Sequence, residues 1–351
     1  MSKFLSPRLS GLKAYVPGEQ PADMEYVKLN TNESPYPPSP GVIAAICEAE
    51  IRKLNLYPNP DGKRLIEKLA SFYGVRQENV IIGNGSDELL AFAFQAFCDS
   101  ERGAVFPDIT YGFYPVYAEL YGIPYEQIPL TDDFRIDISG YCGIGKNIFI
   151  ANPNAPTGIT LPLSDIEAIT RSNPGYVVLI DEAYVNFGAE SAIPLTHEYD
   201  NLLIIHTYSK SRSLAGARMA YAIASPPIIE DLNKMKYSFN PYNVNRLTQI
   251  AAEAALCDDD YYKEKHREII ATRGYTEAKL KELGFSMTES SANFIFAKHP
   301  DISGYELYTK LKAKGILVRN FSKPRISDHI RITIGTKDQI DALISAVKEI
   351  L

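Results

Sequence analysis

Only four cysteines occur in 351 residues, and Cys47, Cys98, Cys142 and Cys257 are dispersed along the chain without a CxxC spacing. They suggest neither a zinc site nor a disulfide framework, and they fit a reducing compartment. Histidine is almost as sparse: His197, His206, His266, His299 and His329 form no HxxxH pair, so no metal centre is expected. Long apolar runs are missing as well. Apolar stretches such as 176–180 and 202–205 are far short of the roughly 20 residues needed to cross a bilayer. The opening MSKFLSPRLSGLKAYVPGEQP has prolines, glycines and charges where an export signal has an apolar core, so the expectation is a cytoplasmic location without membrane association. Positive charge is the minority sign. With 36 Lys and Arg against 43 Asp and Glu, the formal charge of -7 argues against nucleic acid as a partner.

What is present is the composition of a globular protein, 45% hydrophobic and 23% charged. The length exceeds one ordinary domain, so a large and a small domain are expected. Short β-branched runs at 79–82, 103–106, 147–150, 177–180, 202–205 and 219–223 alternate with amphipathic stretches at 86–97, 112–121, 163–171 and 227–237. That alternation predicts an α/β fold: a large domain whose mostly parallel sheet is sandwiched by helices. After Asn240-Pro241 the texture changes to a charged helical stretch, 243–283, broken near 257–260. Strands at 293–297, 316–318 and 329–334, with helices at 304–314 and 337–350, predict a smaller C-terminal α/β domain. The expected division is an arm over 1–30 packing on the small domain and the cleft, a large domain over 31–240 and a small domain over 241–351. Proline-dense SPYPPSP at 34–40 cannot be regular structure, because proline fixes φ and lacks an N–H.

Four segments carry chemistry. GNGSDEL at 83–89 lies between a strand and a helix, where small residues let the backbone close on a ligand and free N–H groups attract an anion; a plain Ser-Asp helix cap is the alternative. NPNAPTG at 152–158 follows a strand at the sheet edge where ligands of open α/β folds gather, or is merely a proline-made turn. In VLIDEAYVNF, Asp181 leaves an apolar strand and implies a cationic partner, unless it caps the next helix. In HTYSKSRSLAGARMAY, Lys210 follows a buried strand amid small residues. A desolvated amine there is a nucleophile toward carbonyls, whereas a loop lysine in solvent is the bland reading. Arg218 could meet the same phosphate as Ser86, Asp87 and Ser209 if its loop folds back. A phosphate cradle, a strand-end Asp and a buried Lys are together what a pyridoxal phosphate site needs.

With TYG at 110–112, NPYNVN at 240–245 and RITIGT at 331–336, these segments resemble the fold-type I, pyridoxal-phosphate-dependent aminotransferases of class I/II, and most nearly the histidinol-phosphate aminotransferase family. The similarity runs from AYVPGEQP at 14–21 to the last helix. It implies that Lys210 holds the cofactor and shuttles a proton, that Asp181 keeps the pyridine nitrogen protonated and that Tyr184 hydrogen-bonds the phenolic oxygen. Tyr111 would stack on the ring. Gly85, Ser86, Asp87, Ser209 and Arg218 would hold the phosphate, and Tyr57, in LYPNP, matches the tyrosine that reaches the neighbouring subunit's phosphate, implying a homodimer. Arg331 matches the arginine for the substrate carboxylate; Arg319, Tyr15 and Asn32 match further substrate-binding positions.

The implied reaction moves an amino group from L-histidinol phosphate to 2-oxoglutarate in histidine biosynthesis, with a small amino donor and a 2-oxo acid as partners. Other readings are an aromatic amino-acid aminotransferase, a pyridoxal phosphate lyase like the threonine-phosphate decarboxylases, and a ligand-sensing regulator, for which the chain lacks a basic DNA-binding segment. Two departures stand out. Ala155 replaces the Asn usual before PTG, leaving Tyr184 alone or Asn154 as substitute, and Arg212 introduces a bulky cation beside Lys210.

Overall fold

The computed structural model describes residues 4–351, so the first three residues of the expected arm lie outside it. Seven strands form the large sheet, in the spatial order Val80–Gly83, Ala220–Ala224, Leu202–Thr207, Val178–Asp181, Asn147–Ala151, Ala104–Pro107 and Tyr125–Ile128. Every pairing is parallel except the two made by Ala220–Ala224. The central strands are buried on both faces, which is why they read as continuous apolar runs. Alternate residues serve opposite layers. Ile148, Ile150, Val178 and Ile180 pack with Leu65, Ile166 and Ala251 on one face, and Phe149 and Leu179 with Leu89, Phe94 and Leu232 on the other. Phe94 stacks on Phe149 at 4.0 Å, and each such buried side chain contributes about 1.5–3 kcal/mol.

Tyr125–Ile128 has no counterpart among the expected strands. It is an edge strand whose side chains are mostly exposed, so Tyr-Glu-Gln-Ile carries no apolar run to mark it. The small sheet holds Arg319–Asn320, His329–Thr333, Phe294–Lys298 and Ser286–Met287, all antiparallel. Ile316–Leu317 does not join that sheet; it pairs in parallel with Val27–Lys28 of the N-terminal arm. Leu29 enters the small sheet's core, while Arg8 reaches Leu120 O across the large domain.

The helical stretch breaks at Asp258, between Arg246–Cys257 and Asp259–Glu282. Val244, Ala251, Leu256 and Tyr262 share the core of the large sheet, whereas Ile269 and Leu280 belong to that of the small one. We therefore propose a division inside helix Asp259–Glu282 rather than at 241. Among the described residues, no helix is long and apolar enough to cross a membrane.

Candidate active site

A cavity of about 410 Å³ opens at the C-terminal edge of the parallel strands, where an open α/β sheet gathers ligands. Lys210, Asp181, Tyr184, Ser86, Asp87, Tyr111, Ser209, Arg218, Tyr15, Asn32, Arg319 and Arg331 all line it. Tyr57 does not: it is 77% exposed and stacks on Tyr242, with centroids 4.4 Å apart.

Lys210 sits on the four-residue helix Tyr208–Ser211, directly after strand Leu202–Thr207. Its Nζ donates to Thr31 O at 3.0 Å, and among the described residues no carboxylate forms an ion pair with it. Burial, with Arg331 adding repulsion, lowers its pKa to about 8. A fraction of the amine is therefore unprotonated near neutrality, as a carbonyl-attacking nucleophile requires.

Asp181 ends strand Val178–Asp181 and is 5% exposed. Burial raises its carboxyl to about 7, against a backbone hydrogen bond from Ala183 N that lowers it, and with Asp87 adding repulsion. A buried carboxylate of this kind is costly in its ionised form unless a cation stands opposite it. Its neighbour Glu182 turns elsewhere, meeting His206 Nε2 at 2.7 Å and accepting from Ala192 N at 2.6 Å.

The anion corner forms at the start of helix Ser86–Phe97. Gly85 there has φ +81°, and a Cβ on it would lie 2.4 Å from Arg218 Nη2, so only glycine lets the guanidinium approach the helix N-terminus. Arg218 itself has φ +56° and pairs with Asp87 at 3.1 Å; Tyr111 Oη donates to Asp87 Oδ1 at 2.7 Å. Ser209 is fixed by Thr207, whose hydroxyl donates to Ser209 Oγ at 2.9 Å.

Burial raises the Tyr184 hydroxyl above its ordinary range, while Arg331 and Asn32 oppose the rise. Asn32 Nδ2 donates to Tyr184 Oη at 2.9 Å, leaving the phenol's own proton for another acceptor. Opposite it, Arg331 lies over the Phe294 ring at 5.3 Å and donates from Nη2 to Asn30 O at 3.0 Å. Among the described residues its Nε is buried without a hydrogen-bond partner, which leaves it a free donor. Arg319 donates to Pro17 O and Val16 O, both at 3.3 Å, so the arm's carbonyls rather than a carboxylate hold it. Tyr15 stacks on Phe113 at 4.2 Å and tilts toward Tyr111 at 6.3 Å.

Asn154 does not substitute for the missing asparagine at 155. Its amide is consumed within the fold, donating to Ile109 O and Thr157 Oγ1 and accepting from Thr110 Oγ1, whereas Ala155 lines the cavity against Tyr184 and Phe294. Sequence reasoning missed Asn30 and Thr31, whose carbonyls receive Arg331 and Lys210. Backbone acceptors leave no mark in residue type; the only signal was their adjacency to Asn32.

A model of the family described as aminotransferase class I and II matches residues 24–347. The chain is 49% identical over 352 residues to histidinol-phosphate aminotransferase of Brachyspira hyodysenteriae, covering 100% of this chain and 99% of the relative. It is 49% identical over 351 residues to histidinol-phosphate aminotransferase 1 of Bradyrhizobium diazoefficiens, covering 100% of each. The crystal structure of histidinol-phosphate aminotransferase from Sinorhizobium meliloti in complex with pyridoxal-5'-phosphate shares the fold, with a TM-score of 0.90 at 23% identity over 100% of this chain and 99% of that one. With matches that run end to end, the chain belongs to the class I and II aminotransferases and, within them, to the histidinol-phosphate aminotransferase family.

Proposed function

We propose that the protein is a pyridoxal-phosphate-dependent aminotransferase acting on L-histidinol phosphate and 2-oxoglutarate in histidine biosynthesis. The observation that carries this reading is the convergence of Lys210, Asp181 and the Ser86–Arg218 corner on one cavity, in a chain that matches histidinol-phosphate aminotransferases from end to end. Pyridoxal phosphate, when bound, supplies an aldehyde that takes up an amine and a protonated ring that withdraws electrons from the substrate's Cα.

The residues present fit that group. Lys210 Nζ would hold its aldehyde carbon until the substrate's amine takes that place, and the freed lysine amine would then carry the proton between Cα and that carbon. Asp181, about half protonated near pH 7 when alone, would ionise fully opposite a cationic ring nitrogen and hold the nitrogen's proton. Tyr184 would donate to the phenolic oxygen, a contact that Ala155 cannot make. Tyr111 offers its ring face, and the Gly85–Asp87 turn, Ser209 and Arg218 offer donors for the phosphate.

L-Histidinol phosphate carries a phosphate and no α-carboxylate, whereas 2-oxoglutarate carries carboxylates, so the same cations must accept both. Arg331, with its unpartnered Nε, and Arg319 at the arm are the two suited to that exchange. Tyr15 of the arm and Asn32 just beyond it line the same cavity. The aromatic cluster of Tyr15, Tyr111 and Phe113 suits a phenyl ring as well as an imidazole, which favours aromatic amino-acid transamination as the second reading. Tyr57, exposed beside Ile51, Leu54 and Leu56, supports a homodimer in which it reaches the partner's site. A cytoplasmic location accords with biosynthetic work.

Borohydride reduction of the yellow protein followed by peptide mapping should label Lys210, and single-donor absorbance traces should show faster conversion with histidinol phosphate than with phenylalanine. A label on another lysine would sink the site; a faster trace with phenylalanine would replace the substrate.

A further inference from the structure

Arg212 follows Lys210 by two positions yet does not line the cavity. It is 7% exposed, with Nη2 2.6 Å from Asp259 Oδ1 and Nη1 donating to Ala255 O at 3.4 Å. Its guanidinium also lies over the rings of Tyr262 and Phe72, at 5.1 and 5.7 Å. Asp259 opens helix Asp259–Glu282. Farther along that helix, the buried His266 places Nε2 2.7 Å from the carbonyl oxygen of Ser211, the residue after the lysine, and its ring meets Phe187 edge-on.

Both contacts grip the C-terminal end of helix Tyr208–Ser211. A single turn fixes about six dihedrals for one hydrogen bond and is unfavourable alone, so its position must come from outside. At the other end of the turn, Tyr208 N donates to Met219 O at 2.9 Å and Thr207 Oγ1 accepts from Ser209 N at 3.1 Å. The gripping helix also reaches the opposite wall. Its Arg273 donates to Ala292 O at 2.7 Å, two residues before the Phe294 ring that seats Arg331.

We propose that Arg212 and His266 are positioning residues: through Asp259 and the Ser211 carbonyl they clamp the Lys210 turn to helix Asp259–Glu282 and so set where the lysine amine stands in the cavity. This rests on the reading that Lys210 carries pyridoxal phosphate. Neither residue lines the cavity. Stability alone is a poor reason for such an arrangement, since a buried ion pair is often matched or bettered by apolar residues of similar volume. A clamp gives it a geometric task.

The variants are Arg212→Met, which keeps length and removes charge, His266→Leu, which removes the donor to Ser211, and His266→Gln, which retains one. Each is stripped of cofactor, and incorporation of added pyridoxal phosphate is followed by visible absorbance. The reloaded enzyme is then titrated for the pH midpoint of its absorbance change, and thermal unfolding is recorded. Arg212→Met and His266→Leu should slow incorporation by about fivefold, as expected for losing one net hydrogen bond, and displace the midpoint by about half a unit. His266→Gln should restore both. Variants that melt earlier but load and titrate like the parent overturn the clamp, because a merely structural role predicts that pattern. If Arg212→Met fails to fold, the His266 pair decides the question. Borohydride mapping of the parent separates the two ideas: a label away from Lys210 defeats the cofactor reading and the clamp with it, while a label on Lys210 with unmoved midpoints defeats the clamp alone.

Discussion

Replacing Asp181 with Asn should make the cofactor-free protein more stable at alkaline pH while nearly abolishing transamination. Burial raises this carboxyl from 3.8 to about 7 in the folded chain. In the unfolded chain it ionises near its ordinary value, so the folded state has lost nothing below about pH 3.8 and loses ground steadily between there and about 7. At 1.36 kcal/mol per pH unit the penalty is about 1.5 kcal/mol at pH 5 and reaches about 4 kcal/mol above pH 7, a ceiling that water in the cavity lowers. Asparagine carries no such penalty. Urea unfolding of both apoproteins, at one protomer concentration, should therefore show an advantage for Asp181→Asn that grows from pH 5 to pH 8.5. Adding pyridoxal phosphate should reverse the order, because the parent's carboxylate then gains a cationic partner and the amide does not. An advantage that is absent, or equal at the two pH values, would refute the claim that this carboxyl waits unpaired for a ligand. Near-parental transamination by the cofactor-loaded variant would refute its role opposite the ring nitrogen.

Gly85→Ala should weaken cofactor binding at least tenfold in equilibrium dialysis, since the added Cβ meets Arg218 at 2.4 Å and φ +81° strains any L residue; affinity equal to the parent's would show that this corner does not hold the phosphate. Arg319→Ala should penalise histidinol phosphate by about 10- to 150-fold in kcat/KM, the range for a charge-assisted contact of roughly 1.5–3 kcal/mol, and phenylalanine far less. Arg331→Ala should impair both donors, and equal small losses with Arg319→Ala would move preference to the aromatic transaminase. Mixing inactive Lys210→Ala with an inactive Tyr57 variant should restore activity in heterodimers, each of which then keeps one intact composite site; confirmed heterodimers without activity would count against shared sites.

The site was legible where chemistry and burial coincide in sequence. Asp181 ends one strand buried on both faces and Lys210 comes soon after another, so a charge there announces itself. Ser86 and Asp87 were legible as a helix start. Tyr125–Ile128 was not, because an exposed edge strand shows no apolar alternation. Nor did sequence reveal which core would take residues 244–262, since an amphipathic helix displays an apolar stripe without naming its partner. Asn154 and Ala155 show the same limit at one residue: the amide type suggested a ligand contact, and only the geometry reveals that three partners within the fold already occupy it.

Ala220–Ala224 is the one strand of the large sheet that runs against its neighbours, with Ala220 opposite Thr207. Residues 208–219 therefore leave and re-enter the sheet at the same edge, and this single excursion carries both Lys210 and Arg218. A parallel return would have delivered the second cation to the far edge of the sheet, out of reach. The excursion thus behaves as a ruler: adding or removing a residue within it changes the span between amine and phosphate anchor while every strand keeps its register. Lengthening or shortening this loop is accordingly the direct route to refitting the fold to a cofactor whose aldehyde and phosphate stand at a different separation.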